Sequence, residues 1–171
     1  MVKTLPAALA AAVALAACGS SKAPGVVTAP SAGDTQASIP TTPTVPPALS
    51  KKPVVVVPST PPPTHLVTKD MITGSGKTAA AGSTVTVNYV GVLYKTGKEF
   101  DSSWSRNQPS SFALTTGSII PGWVQGIPGM KVGGRRELII PPSLGYGAAG
   151  RPPTIPANST LVFVVDLLSV S

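Results

Sequence analysis

From Thr84 onward polar and apolar positions alternate, with Thr84, Thr86 and Asn88 set against Val85, Val87 and Tyr89. A period of two predicts a β-strand with one buried face, and the β-branched run through Val90-Gly91-Val92-Leu93-Tyr94 extends it to 84–94. Lys95-Thr96-Gly97-Lys98 predicts a turn, with Gly97 free to take positive φ, and the chain returns as a strand through Glu99-Phe100-Asp101. Phe112-Ala113-Leu114 predicts another short strand. The pattern changes at Pro121-Gly122-Trp123-Val124-Gln125-Gly126-Ile127: Pro121 suits a first helical turn, Trp123 and Ile127 share a face, and Pro128-Gly129 close the helix early. Arg135 to Ile140 predicts a strand stopped by Pro141-Pro142. Thr160 to Val170, apolar on both faces, predicts a last strand in the middle of the sheet. The sum is an α+β domain with about five antiparallel strands wrapped over one short helix, and no internal repeat.

The first part of the chain has another pattern. Lys3 precedes an apolar stretch from Leu5 to Ala17, too short to span a bilayer as a helix. This predicts a signal peptide over 1–17. It ends in Leu15-Ala16-Ala17-Cys18, which resembles the bacterial lipobox, so Cys18 is the expected lipidation site and membrane attachment through a lipid anchor is expected. Residues 19–63 hold 11 of the 20 prolines and four charged side chains. Proline removes backbone donors and fixes φ, so 18–63 is expected to be a disordered, Pro-rich tether. Its short apolar run, Val54 to Val57, reads either as a sticky spot or as an extra edge strand.

Composition locates the core. All eight aromatic residues lie between Tyr89 and Phe163, so the part able to bury a core is 64–171. The net charge of +7 comes from basic residues that never run longer than a pair, which argues for a solvated surface and against nucleic-acid binding. One cysteine and one histidine, Cys18 and His65, exclude an internal disulfide and argue against a Cys/His metal site. No metal or other cofactor is expected. Thr73-Gly74-Ser75-Gly76-Lys77-Thr78 mimics the end of a phosphate-binding loop, but the first glycine that such a loop requires falls at Met71. Asn158-Ser159-Thr160 is formally a glycosylation sequon, with a turn as the plainer reading.

Several blocks stand in order along 85–170: Val87-Asn88-Tyr89-Val90-Gly91, Phe100-Asp101-Ser102-Ser103, Arg106-Asn107-Gln108-Pro109, Ile119-Ile120-Pro121-Gly122-Trp123, Gly129-Met130-Lys131-Val132-Gly133, Ile140-Pro141-Pro142, Tyr146-Gly147 and Ile155 to Phe163. In them the chain resembles the FKBP family of peptidyl-prolyl cis-trans isomerases. The resemblance implies an FKBP-like fold and a pocket with Trp123 as floor and Tyr89, Phe100 and Phe163 as walls. Asp101 would serve for contact and orientation, and the Ile120 N–H and Tyr146 hydroxyl would donate to substrate carbonyls. Ile119, Ile155, Arg106 and Arg151 complete the expected substrate-binding set. Ser110 and Arg151 depart from the best-known members, which carry an aromatic and a histidine there.

The expected partners are X-Pro segments of unfolded exported proteins, with macrolides as candidate ligands, for a monomer anchored outside the bacterial cytoplasmic membrane. Read without the resemblance, Trp123, Phe100 and Phe163 are ordinary core, Asp101 is a turn acid paired with Arg106, and Tyr146 is a loop anchor. The rival functions are a non-catalytic binder of Pro-containing segments on the same fold, and a surface lipoprotein acting through its tether and charge.

Overall fold

The computed structural model describes residues 46–171. The expected signal peptide, the lipobox at Cys18 and the first part of the expected tether lie outside the described residues. Six strands form one sheet: β1 (Val67–Ile72), β2 (Thr84–Leu93), β3 (Glu99–Ser102), β4 (Ser110–Ala113), β5 (Arg135–Ile140) and β6 (Leu161–Val170), with one helix, α1 (Pro121–Gly126). The order is β1-β5-β6-β2-β3, and β4 pairs with β2 beside β3. Every pairing is antiparallel. β6 is central, as its two apolar faces predict, and is buried from Leu161 to Leu167.

The strand missing from the sequence reading is β1. Its four middle residues are exposed, so no period of two marks it. Its pairing with β5, Val67 opposite Ile139 through Ile72 opposite Arg135, makes it a strand. Arg136 then reinforces the edge with hydrogen bonds of 2.6 and 3.0 Å to Asp70. The same guanidinium donates to the carbonyls of Gly126 and Pro128 at 2.8 and 3.3 Å. A cation placed there satisfies carbonyls that α1 leaves open at its end, and ties the helix to the sheet.

Alternation along the strands gives the sheet two apolar faces. The inner face carries Val85, Val87, Tyr89 and Leu93 of β2, Leu138 and Ile140 of β5, and Leu161, Phe163, Val165 and Leu167 of β6, packed with Trp123 and Ile127. The outer face carries Val90, Val92 and Tyr94 with Ile139 and Val162.

What covers the outer face differs from the sequence expectation. Residues 46–63, expected to be the last part of a disordered tether, lie along the domain as a strap. Leu49 is 1% exposed and Pro53 is buried, while Val55 and Val57 pack on the outer cluster. Tyr94 donates its hydroxyl to the Thr60 carbonyl at 3.1 Å, and Lys52 pairs with Glu99 at 2.7 Å. The 53–57 stretch forms no strand. The strap holds one 3-10 turn, Pro47–Leu49, and beyond it apolar side chains on an extended backbone find a place because the sheet offers a second apolar face.

Beneath the strap is a buried ion pair. Arg135 donates from Nε and Nη2 to both oxygens of Asp166 at 2.5 and 2.8 Å, and from Nη2 to the Lys51 carbonyl at 3.0 Å. Asp166 has no exposed surface and Arg135 is 9% exposed. The strap thus supplies one acceptor to a guanidinium that it also shields from water.

Candidate functional site

On the inner face the aromatic side chains form one cluster. Trp123, 4% exposed on α1, meets Tyr89, Phe112 and Phe163 edge-on, with ring centroids 5.3, 5.2 and 5.3 Å away and interplanar angles of 86°, 81° and 84°. Phe100 from β3 stands edge-on to Phe163 at 5.4 Å and 88°. Such perpendicular pairs place positive ring edges against negative faces, contributing about 0.5–1.5 kcal/mol each beyond their buried area. Proline at the first helical turn and the Arg136 clasp at the last hold Trp123 in place. Its Nε1 is buried without a hydrogen-bond partner among the described residues.

Gly91 provides the space between the walls. A Cβ built at this position lies 2.7 Å from Phe100 Cζ and 2.7 Å from Phe163 Cε1, closer than carbon atoms approach. Gly91→Ala should therefore displace both rings, costing about 1–3 kcal/mol from overpacking and lowering turnover more than a typical surface substitution. Thermal melts and isomerisation rates of the purified variant measure the two effects separately.

One rim is polar. Tyr89 donates its hydroxyl to Asp101 Oδ2 at 2.6 Å, and Arg106 donates to Asp101 Oδ1 at 2.6 Å and to the Tyr89 hydroxyl at 2.7 Å. Burial raises the Tyr89 phenol to about 12, helped by the acceptor Asp101. At Asp101 burial pulls upward, but the hydrogen bonds from Tyr89 and Arg106 outweigh it and hold the carboxyl below its ordinary value. With the folded value depressed, the stability contributed by Asp101 is present above the ordinary carboxylate range and is lost as pH falls through it. An ionised carboxylate held by two donors orients neighbours and has no proton to give.

Ile120 is the N-cap of α1, accepting from the Trp123 N–H at 3.0 Å. It is half-buried with Ile119, and both pack on the aromatic cluster. Tyr146 is half-buried in the long loop after β5, and Ile155, 3% exposed, belongs to the same cluster. Arg151 contributes backbone bonds to Ile155 at 2.8 and 2.9 Å, while its side chain is exposed. The fold therefore brings together Tyr89, Phe100, Ile119, Ile120, Trp123, Tyr146, Ile155 and Phe163, with Asp101 and Arg106 at the rim. Arg151 joins this group through its backbone bonds to Ile155, with its side chain exposed, and Cys18 lies outside the described residues.

Sequence reasoning missed Phe112 and Gly91 as parts of the site. In the sequence Phe112 marks only a short strand, and its edge contacts with Tyr89 and Trp123 depend on β4 turning back beside β2. Gly74 and Gly76, the glycines of the loop mimic, have a packing role: they lie against the backbone of 131–134, where a side chain at Gly74 would collide with the Lys131 and Val132 carbonyls. Asn158, φ 54°, sits in a turn, with its N–H bonded to the Gly147 carbonyl at 2.9 Å.

Comparison with known proteins fits this geometry. The sequence model described as FKBP-type peptidyl-prolyl cis-trans isomerase matches residues 75–168. An FK506-binding protein of Streptomyces anulatus is 52% identical over 121 residues, covering 70% of this chain and 98% of that protein. The FKBP-type peptidyl-prolyl cis-trans isomerase FkpA of Escherichia coli is 50% identical over 107 residues, covering 63% of this chain and 38% of that one. Among solved structures, E. coli FkpA superposes with a TM-score of 0.58 at 45% identity, covering 72% of this chain and 55% of that chain. AtFKBP13 superposes with a TM-score of 0.59 at 37% identity, covering 64% and 96%.

Proposed function

Because this chain belongs to the FKBP-type peptidyl-prolyl cis-trans isomerase family and is an isomerase of that type, we propose that it binds X-Pro segments of exported proteins in the Trp123 pocket and speeds their folding. The observation that carries the reading is the set of edge-on aromatics around Trp123, bordered by a carboxylate already committed to two donors.

Rotation about the X-Pro bond must break amide resonance, a barrier of about 18–20 kcal/mol, and no bond is cleaved. The twisted amide loses its charge-separated form and is less polar than the planar one. A dry aromatic pocket therefore favours the twisted state relative to the planar state. The Ile120 N–H and the Tyr146 hydroxyl would hold the carbonyls on either side, and the Asp101–Arg106 pair would keep the Tyr89 wall in place. Neither Asp101 nor Tyr89 titrates near neutrality, so turnover should be flat from about pH 5 to 9.

The test is a refolding assay, since a proline-limited phase takes tens to hundreds of seconds uncatalysed. The protein should accelerate that phase. Phe100→Leu should reduce the acceleration most by opening the dry wall, with Asp101→Val and Tyr146→Phe smaller, all three remaining folded by thermal melt. Wild-type activity that all three variants retain in full would remove the pocket from the mechanism. The names of the relatives support macrolides as competing ligands for the same pocket.

For location we propose export and lipid attachment at Cys18, with the protein acting as a monomer outside the cytoplasmic membrane. The lone cysteine directly after Leu15-Ala16-Ala17 supports this. Cys18→Ser should abolish the lipid mass increment and release the protein from the membrane fraction. Unchanged mass and unchanged membrane recovery would remove the anchor.

A further inference from the structure

The outer face of the sheet is filled by a segment whose own chemistry describes what that face accepts. In the strap, Val55 and Val57 turn inward to Val90, Val92, Tyr94 and Val162, while Val54 and Val56 are 81% and 72% exposed. Prolines at 53 and 58 bound the stretch. The occupant is thus an extended chain with β-branched residues at alternate positions.

Three features make this occupant displaceable. Among the described residues no backbone–backbone hydrogen bond joins 46–63 to the rest of the domain, so the strap is held by side chains, by one carbonyl on Arg135 and by Thr60 on Tyr94. A cavity of about 670 Å³ is lined by Pro58, Ser59, Thr60 and Pro62 of the strap together with Tyr94 and the loop from Pro156 to Thr160, so apart from the Thr60–Tyr94 contact this end of the strap has open space beneath it. Trp104, which packs on the same outer cluster, has its Nε1 buried without a partner. A buried donor left unpaired costs free energy while the face is closed, and the carbonyl of an incoming chain would supply an acceptor.

We propose that the outer face is a second peptide-binding site, closed in cis by residues 46–58, whose partner is an extended, β-branched, proline-bounded segment of an unfolded chain. The proposal rests on the reading that the protein acts on such chains. The two sites lie on opposite faces of β2 and β6. A chain held at the Trp123 pocket would reach the outer face by rounding the β3 edge, the open end of the sheet order. Phe100 faces the pocket at that edge, and Trp104 just beyond it packs on the outer cluster. Once held at the pocket, such a chain competes with the strap on intramolecular terms, which a free peptide does not.

The test uses residues 19–171 with Val55→Asp and Val57→Asp together, and a Val55→Ser, Val57→Ser version as the milder opening. The probe is a peptide with the sequence of residues 50–58, and Trp104 fluorescence reports its arrival. Opened chains should bind the probe at least about tenfold more tightly than wild type, because the strap competes at an effective concentration near millimolar. A probe carrying Asp at both inward valine positions should not bind. Isomerisation of a proline tetrapeptide, too short to reach the outer face, should be unchanged, while KM for refolding of a long proline-limited chain should fall. Equal probe binding by opened and wild-type chains overturns the site. Tight probe binding with an unchanged KM for the long chain makes the face a seal for its own strap alone, and an opened chain that dimerises with KM unchanged makes the occupant a second copy; both overturn the proposed partner. Loss of tetrapeptide turnover in the wild type would sink the isomerase reading while leaving the probe measurement standing.

Discussion

A chain that starts at Thr64 should melt well below one that starts at Pro46, by roughly 10–25 °C. Removing the strap uncovers a fully buried leucine site, a buried proline site and the contacts of two half-buried valines. At about 1.5–3 kcal/mol for a fully buried large aliphatic side chain and less for the partly buried ones, the loss is about 3–5 kcal/mol. A change of 1 kcal/mol moves the melting temperature of a domain near this size by about 3–5 °C. The truncated chain also leaves Arg135 without its Lys51 acceptor and exposes Val90, Val92 and Val162 as a contiguous apolar patch, so it should self-associate with rising concentration. Differential scanning calorimetry and light scattering on the two chains give both readings. Equal melting temperatures would mean that the strap contributes nothing to the folded state.

Asp166→Ala should cost nearly as much from a single side chain. Its carboxylate accepts two hydrogen bonds from Arg135 and has no exposure to water. Removing one member of a buried pair strands the other charge, a cost of about 3–5 kcal/mol. Much of that loss should return when Arg135 is also replaced, as in Arg135→Met with Asp166→Leu, because two apolar side chains satisfy the same volume without a desolvated charge. Denaturant melts of the single and double variants form the check. A double variant as weak as Asp166→Ala would show that the loss comes from packing and not from the stranded guanidinium. The pocket lies on the opposite face, so catalytic turnover per folded molecule should survive both changes.

Much of this protein was legible in its sequence because the signals are local. Alternation along Thr84–Leu93 and the apolar run Leu161–Val170 specify strands by the period of their side chains, and Pro121 with Pro128-Gly129 brackets the helix. The aromatic residues of the site were legible one by one, through ordered motifs that resemble a family. Their mutual geometry was not. Edge-on contact between Trp123 and Phe163 requires α1 and β6 to meet across some forty residues of chain, and Gly91 becomes a pocket residue only when β3 lies beside β2.

β1 and the strap were decided by tertiary structure alone. The exposed residues of β1 carry no hydrophobic period, and hydrogen bonding to β5 makes them a strand. The valines of the strap were visible, but whether four valines between prolines remain in water or bind depends on a second apolar face built from Val90, Val92, Tyr94, Ile139 and Val162, far along the chain. Sequence determines the periodicity of each element and the chemistry of each side chain. Which apolar surface is left over for another segment to cover, and which charge that segment then buries, is a property of the assembled sheet, because burial exists only between surfaces that folding has brought together.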